Sequence, residues 1–155
     1  FFDKLNSYGI PYDVIGVSFY PWSHGTLVDL RANLRFIAEE LKKDVMVVET
    51  GYYYAPSSNF RTSPPPFPES PEGQKQWLMA VNEAVMATPD GRGKGVFWWE
   101  PAAGRGLVQR GFFDAEHNAQ PVLDAFLPYT RPAHRTDGQS PPRVPPSAVK
   151  FGPAP

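Results

Sequence analysis

The sequence predicts an α/β fold in which buried parallel strands alternate with amphipathic helices. Three short apolar runs, at 14–19, 45–48 and 95–99, support this because each is rich in β-branched or aromatic residues and lacks polar alternation. Segments with helical periodicity lie between the runs, and parallel strands need such crossovers. The order fits either a doubly wound sheet or a piece of a (β/α)8 barrel. A complete barrel needs about 250 residues, and this chain has 155.

Two crossover helices can be placed by their capping residues. After the first run, Thr26 and Asp29 have the spacing of a capping box, and the helix that follows is expected to end near 43–44. Its apolar face comprises Leu27, Leu30, Leu34, Ile37, Ala38 and Leu41. Ser70 followed by Pro71 marks the start of the next helix, which is expected to end at 89–91. Its apolar face comprises Trp77, Leu78, Val81 and Val85.

The rest of the chain divides into a last helix, a long loop and a tail. A helix is expected after Pro121, burying Val122, Leu123, Phe126 and Leu127. The proline-rich stretch 55–69 predicts a long loop that is functional or mobile. Residues 1–5 read as the end of a helix already under way, which favours a chain whose start is a cut. We therefore expect one barrel portion at 1–127 and a disordered proline-rich tail or linker at 128–155.

Composition excludes several classes of protein. Lys and Arg total 15 against 16 for Asp and Glu, so the net charge of −1 gives neither a basic nucleic-acid surface nor attraction to anionic membranes. No apolar run approaches the roughly 18 residues that span a bilayer. Cysteine is absent, which excludes disulfides, thiolate catalysis and cysteine-ligated metals. We expect neither nucleic acid nor membrane as a partner.

Chemistry is expected where the strands end, because α/β folds bind ligands at the carboxyl ends of their strands. Segments 20–25, 49–54 and 100–101 follow the three runs, and each combines or adjoins aromatic and ionisable residues. Sugars have apolar C–H faces and polar rims, so aromatic platforms beside carboxylates suit them. Cleavage of a glycosidic bond uses two carboxylates, and from the pattern alone the pair would be Glu49 and Glu100.

Each candidate residue has a structural alternative. Glu49 emerges from a dry strand, where an unpaired charge is costly, so it is either catalytic or part of a buried ion pair. Glu100 either takes part in the site or braces a loop, and His24 either contacts substrate or makes a structural hydrogen bond in a turn. The aromatic candidates Trp22, Tyr52, Trp98 and Trp99 are either sugar platforms or core residues. One of the adjacent pair Trp98 and Trp99 must be a core residue, because neighbouring strand residues face opposite ways.

Other catalytic signatures do not occur. No glycine-rich phosphate loop follows a strand, and Ser18 lacks the glycine-flanked elbow of a nucleophilic serine. His and Asp are not spaced as a metal cluster. We expect no metal and no cofactor.

Four ordered motifs identify a family resemblance. Residues 12–21 with 24–27 resemble glycoside hydrolase family 53, the endo-β-1,4-galactanases that act on arabinogalactan. Residues 47–52, 71–74 and 93–101 agree with the family in order, and 113–114 with 118–121 look like its closing segment. The similarity extends over about 8–127.

The resemblance implies a (β/α)8 barrel in which the three runs are strands six, seven and eight. It implies that Glu49 is the nucleophile at the end of strand seven, and that the acid/base glutamate belongs to strand four, which this chain does not contain. Glu100 then becomes a residue that lines the site. The substrate-binding residues implied are Tyr20, Trp22, His24, Tyr52, Trp99 and Glu100.

These expectations describe the C-terminal part of a retaining endo-galactanase, secreted or periplasmic by its family, which would be inactive as an isolated piece. The expected partner is β-1,4-galactan or a similar polysaccharide. One alternative is a related barrel glycosidase with another β-linked polysaccharide as substrate. Another is a non-catalytic carbohydrate-binding remnant.

Overall fold

The computed structural model describes residues 1–60, 64–102 and 108–129. Within these ranges, every helix is too short or too polar to cross a membrane. The strands are β1 (Val14–Ser18), β2 (Asp44–Thr50) and β3 (Gly93–Trp98). The α-helices are α1 (Phe2–Ser7), α2 (Leu27–Glu39) and α3 (Pro71–Met86), and short 3₁₀ helices lie at Pro89–Gly91, Val108–Arg110 and Pro121–Tyr129.

The strands form one parallel sheet in the order β1–β2–β3. Val47 of β2 pairs with Val17 of β1 on one side and with Val96 of β3 on the other. Helix α2 connects β1 to β2, and α3 connects β2 to β3, as the alternating sequence pattern predicts. The carboxyl ends of all three strands therefore meet at one edge of the sheet.

Both crossover helices begin at the predicted caps. The Asp29 backbone N–H donates to Thr26 Oγ1 (3.3 Å), and the Thr26 N–H donates to the Asp29 carboxylate (2.7 Å), which completes the capping box. Ser70 Oγ accepts from the Gly73 N–H at 3.1 Å, and Pro71 occupies the first turn of α3. Helix α2 ends at Glu39, a few residues earlier than expected, and a turn leads into β2.

The core lies between the sheet and the two crossover helices. Trp77 of α3 is fully buried and stacks on Phe19 and Tyr52, with ring centroids 5.7 and 5.5 Å apart. Ile15 and Val45 from the sheet join the same cluster. Each fully buried aliphatic side chain contributes about 1.5–3 kcal/mol relative to an exposed one, so this face holds the unit together.

The opposite face of the sheet is open. Val14, Val48 and Phe97 lie on it and are 46%, 43% and 57% exposed. A doubly wound sheet carries helices on both faces, whereas barrel strands turn one face to helices and the other to the barrel axis. The arrangement confirms the partial (β/α)8 barrel, with three consecutive strand–helix units.

The predicted last helix is present from Pro121, but part of its predicted buried face is wrong. Residues Pro121–Tyr129 form a 3₁₀ helix, whose three-residue turn aligns Val122 with Ala125, and both are fully buried. Phe126 and Leu127, which were also expected to be buried, are 41% and 62% exposed. The predicted tail at 128–155 begins inside this helix, and its residues from 130 onward lie outside the described part of the chain.

Candidate active site

Glu49 lies at the carboxyl end of β2, the central strand, and is held by hydroxyl groups. Its Oε1 accepts a 2.6 Å hydrogen bond from the Tyr20 hydroxyl, and its Oε2 accepts a 3.4 Å bond from Ser18 Oγ. Among the described residues, none of the ion pairs includes Glu49. Within the described ranges, Glu49 therefore does not form the buried ion pair that was the structural alternative.

A β-bulge turns Glu49 toward the open face of the sheet. Val17 pairs with Val47, but the next residue, Ser18, pairs with Glu49, so β2 holds one extra residue. On the other side, Val47 to Thr50 spans the partners Val96 to Trp98, which shows the same extra residue.

The side chains on either side of the bulge confirm that it shifts the alternation of side chains between the two faces of the sheet. The Val48 side chain lies on the open face beside Gly16. Glu49 accepts hydrogen bonds from Ser18 and Tyr20 on that same face. Thr50 faces the helices instead, where its Oγ1 accepts from Trp77 Nε1 at 3.1 Å. Without the bulge, regular alternation from Val47 would place Glu49 in the helix-facing layer.

Tyr20 is the main partner of Glu49. Burial raises the pKa of the Tyr20 hydroxyl above its ordinary value, and the hydrogen bond and negative charge of Glu49 raise it further. The positive charge of Arg110 acts in the opposite direction but is outweighed. The phenol therefore stays protonated at neutral pH and donates to the carboxylate.

An aromatic cluster with a cation in it extends from Tyr20. Its ring stacks on Trp22 at 4.9 Å, and Trp22 contacts Tyr53 at 5.2 Å. The guanidinium carbon of Arg110 lies 5.9, 5.6 and 5.4 Å from the ring centres of Tyr20, Trp22 and Tyr53. These distances are in the cation–π range. Tyr53 follows the candidate Tyr52 in an aromatic run, but no sequence signal distinguished Arg110.

The expected contact between Tyr52 and substrate does not hold in the structure, because Tyr52 has no exposed surface. Its hydroxyl donates to the Phe67 backbone carbonyl and accepts from the Phe67 N–H at 3.1 Å. Burial raises the pKa of Tyr52 to about 12. Gln74 Nε2 bonds the carbonyls of Tyr52, Arg110 and Gly111 at 3.0, 3.1 and 3.1 Å. Tyr52 therefore fastens the proline-rich loop to the core.

The end of β3 separates the adjacent tryptophans. Trp98 is buried, and its indole N–H donates to the Arg110 carbonyl at 2.8 Å. Trp99 is 48% exposed at the sheet edge, is joined to the half-buried Glu100 by a cis peptide bond, and donates its backbone N–H to Thr50 O at 2.7 Å. A Cβ on Gly51 would meet the Trp99 carbonyl oxygen at 2.8 Å. Gly51 therefore permits the close approach of the two strand ends.

His24 closes the turn that carries Tyr20 and Trp22. Its Nδ1 accepts the Tyr20 backbone N–H at 2.9 Å, and its own backbone N–H donates to the Tyr20 carbonyl at 2.9 Å. The structural hydrogen bond considered from the sequence is therefore present. Because Nδ1 is an acceptor, the neutral ring carries its proton on Nε2, and the exposed imidazole retains one donor.

An apolar cleft lies beside Trp22, between the turn after β1 and the proline-rich loop. It encloses about 480 Å³ and is lined by Trp22, Leu27, Phe60, Pro64 and Pro66, among others. This size lies within the range of small-molecule sites. In the described ranges, His, Asp and Glu nowhere form a group of three or more that could hold a metal ion.

Comparison with known proteins agrees with this geometry. The model of Glycosyl hydrolase family 53 matches residues 1–126. An endo-beta-1,4-galactanase of Bacillus subtilis is 39% identical over 64% of this chain and 25% of its own length. An arabinogalactan endo-beta-1,4-galactanase of Cellvibrio japonicus is 34% identical over 76% of this chain and 36% of its own length. The chain thus spans about a third or less of these relatives.

A solved structure is similar in fold. The GH53 catalytic domain of Ignisphaera aggregans superposes with a TM-score of 0.72 at 24% identity, over 81% of this chain and 41% of that domain. At this identity the likeness shows the fold, and the match of the family model to 1–126 shows the family. This chain, which carries Glu49 at the end of its central strand, therefore belongs to glycosyl hydrolase family 53.

Proposed function

We propose that this chain is the C-terminal part of a retaining, endo-acting glycoside hydrolase that cleaves β-1,4-galactosidic bonds, with Glu49 as the nucleophile. One observation carries the proposal: a bulge turns Glu49 to the open face, where the hydroxyls of Tyr20 and Ser18 hold it. Such donors orient a carboxylate without neutralising its charge. The galactanase names of the relatives support galactan as the substrate.

In the proposed reaction, a Glu49 oxygen attacks the anomeric carbon, and the bond from that carbon to the leaving oxygen breaks. An acid/base carboxyl outside this chain protonates the leaving oxygen. The same group then takes a proton from water, whose oxygen displaces Glu49 and releases the sugar with retained configuration. In the whole enzyme the two carboxyls should lie about 5–5.5 Å apart.

Side chains around Glu49 supply surfaces for a sugar chain. Trp22 and the half-exposed Trp99 offer ring faces to sugar C–H groups. We expect the Nε2–H of His24 to bond a sugar hydroxyl at the rim, and Glu100 to line the site. Tyr52 takes no direct part, since it is fully buried. Action on a plant polysaccharide implies work outside the cytoplasm, so we place the enzyme in the secreted or periplasmic space.

The test is replacement of Glu49→Gln in the full-length protein, with Glu83→Gln on the exposed face of α3 as the matched control. Hydrolysis of β-1,4-galactan should be lost in the first variant and kept in the second. Retained turnover by the Glu49 variant would contradict the assignment.

Covalent trapping tests the same residue without relying on lost activity. An activated 2-deoxy-2-fluorogalactoside should label the wild-type enzyme, and peptide mass spectrometry should find the sugar on Glu49. Label on another carboxylate would move the nucleophile elsewhere.

A panel of β-linked polysaccharides separates the remaining alternatives. Preference for galactan supports the proposal, and preference for another polymer supports a related glycosidase. Binding without cleavage of any polymer would indicate a carbohydrate-binding remnant. The isolated 155-residue chain should be inactive, because the acid/base carboxyl is expected outside it.

A further inference from the structure

We propose that Arg110 is a specificity-determining residue that binds the carboxylate of a uronic acid carried by the galactan chain. The inference rests on the proposed function and adds a substrate class to it, namely acidic galactan. It is carried by a guanidinium that lies in the candidate active site and has no acidic partner among the described residues.

Arg110 is held in the site from both ends. Its backbone carbonyl accepts hydrogen bonds from Trp98 Nε1 (2.8 Å) and Gln74 Nε2 (3.1 Å). Its guanidinium carbon lies within 6 Å of the ring centres of Tyr20, Trp22 and Tyr53. Tyr20 also donates to Glu49 at 2.6 Å, so one side chain contacts both the cation and the proposed nucleophile.

Part of the hydrogen-bonding capacity of this guanidinium is unused within the part of the chain that the structure describes. Arginine has five N–H donors, yet among the described residues no ion pair includes Arg110. Its Nε is buried and has no hydrogen-bond partner in the ranges 1–60, 64–102 and 108–129. Aromatic faces attract a cation but do not replace the oxygen acceptors that its N–H groups lose on leaving water.

A carboxylate is the group that best completes this environment. The guanidinium fork matches carboxylate geometry with two parallel hydrogen bonds, and the pairing is stronger where water is partly excluded. A neutral galactose unit offers only hydroxyls. The aromatic rings beside Arg110 can pack on the C–H face of the same sugar, so a uronic acid would meet both features at once.

The experiment compares an acidic galactan that bears glucuronic acid with the same polymer after chemical reduction of its carboxyl groups. Full-length wild type should show a kcat/KM ratio, acidic over reduced, that falls about tenfold or more in Arg110→Gln, which is the scale of one charge-assisted hydrogen bond. Arg110→Lys should fall in between, because it keeps the charge but loses the fork. The control is Arg31→Gln on the exposed face of α2, which should leave the ratio unchanged.

Using a ratio removes any common effect of these variants on catalysis. An unchanged ratio in Arg110→Gln would overturn the inference while leaving the galactanase proposal intact. Failure of the wild type to cleave either polymer would overturn the proposed function instead. Calorimetric binding of an acidic galacto-oligosaccharide and its reduced form to the Glu49→Gln protein, with and without Arg110→Gln, then decides the inference independently. Equal binding of the two oligosaccharides would reject it.

Discussion

Strand β2 carries a carboxylate near each end, and the two are treated differently. At its start, Asp44 lies 3.4 Å from Arg92 and 3.2 Å from Lys94. At its other end, Glu49 is bonded by the hydroxyls of Tyr20 and Ser18, and no ion pair among the described residues includes it. A carboxylate with two cationic partners has its charge compensated, whereas hydroxyl donors orient a carboxylate and leave its charge uncompensated.

We infer that the two ends of this strand serve different purposes. In (β/α)8 barrels, chemistry sits at the carboxyl ends of the strands, and the amino ends contribute to stability. The ion pairs of Asp44 fit the second purpose, and the open setting of Glu49 fits the first. Variants at the two ends should therefore separate activity from stability.

The largest effect is expected on kcat, when each of the two carboxylates is replaced separately by its amide. Glu49→Gln should lower kcat on galactan by about 10⁴-fold or more, as for loss of other catalytic nucleophiles. Asp44→Asn should leave kcat nearly unchanged. Steady-state kinetics on both full-length variants tests this. A large loss of kcat in the Asp44→Asn variant would contradict the inferred difference between the two ends of the strand.

The second effect concerns stability at the amino end. A Cβ on Gly93 would lie 1.8 Å from the Val85 backbone oxygen, so Gly93→Ala forces β3 away from α3. We expect a loss of about 3 kcal/mol in unfolding free energy, measured by urea denaturation. Gly16→Ala is the control, because the nearest atoms there belong to the Val48 side chain, which can move. Equal losses would contradict the backbone clash.

The third effect concerns the donor to Glu49. Tyr20→Phe removes the 2.6 Å hydrogen bond while keeping the ring, and should lower kcat about 10- to 100-fold. Ser18→Ala, which removes a weaker 3.4 Å bond, should cost less. A Tyr20→Phe enzyme with normal kcat would show that Glu49 needs no orientation by this group.

The pH dependence of stability provides a separate measurement on Tyr20. Because folding raises the Tyr20 pKa above its ordinary value of 10.0, the folded chain retains this proton longer than the unfolded chain. The resulting stabilisation is complete below pH 10.0 and is lost as the pH rises toward the folded pKa. In denaturation measurements above pH 10.0, the free energy of unfolding should fall more steeply with pH for wild type than for Tyr20→Phe.

The smallest effect is expected for Asp44→Asn on stability. The side chains of Asp44, Arg92 and Lys94 are 33%, 30% and 43% exposed, so water and salt screen their interactions. We expect a loss of about 1 kcal/mol or less, reduced further at high salt. A loss of several kcal/mol in thermal or urea unfolding would show that this end is less exposed to screening than its surface suggests.

Much of the fold could be predicted because local signals agreed with the packing. Each apolar run became a strand within a few residues, and the caps at Thr26 and Ser70 start their helices as expected. The family motifs identified the correct family. The role of Glu49 stays a prediction, although its position at the strand end agrees with it.

Other features had no local signal. Residues 45–48 are uniformly apolar, so their sequence does not reveal that an extra residue in β2 changes the phase before Glu49. Tyr52 and Tyr53 are neighbours of the same type, and only packing against Trp77 decides that Tyr52 is the buried one. Arg110 becomes notable only through rings contributed by distant parts of the chain.

The bulge in β2 places two successive side chains, Val48 and Glu49, on the open face of the sheet. Val48 is 43% exposed, so exchange for another residue of similar shape should be tolerated in the chain as described. Deletion of Val48 would remove the bulge and place Glu49 directly after Val47, where regular alternation keeps the carboxylate on the open face. A chain shortened by this one residue should therefore still present Glu49 beside Ser18 and Tyr20.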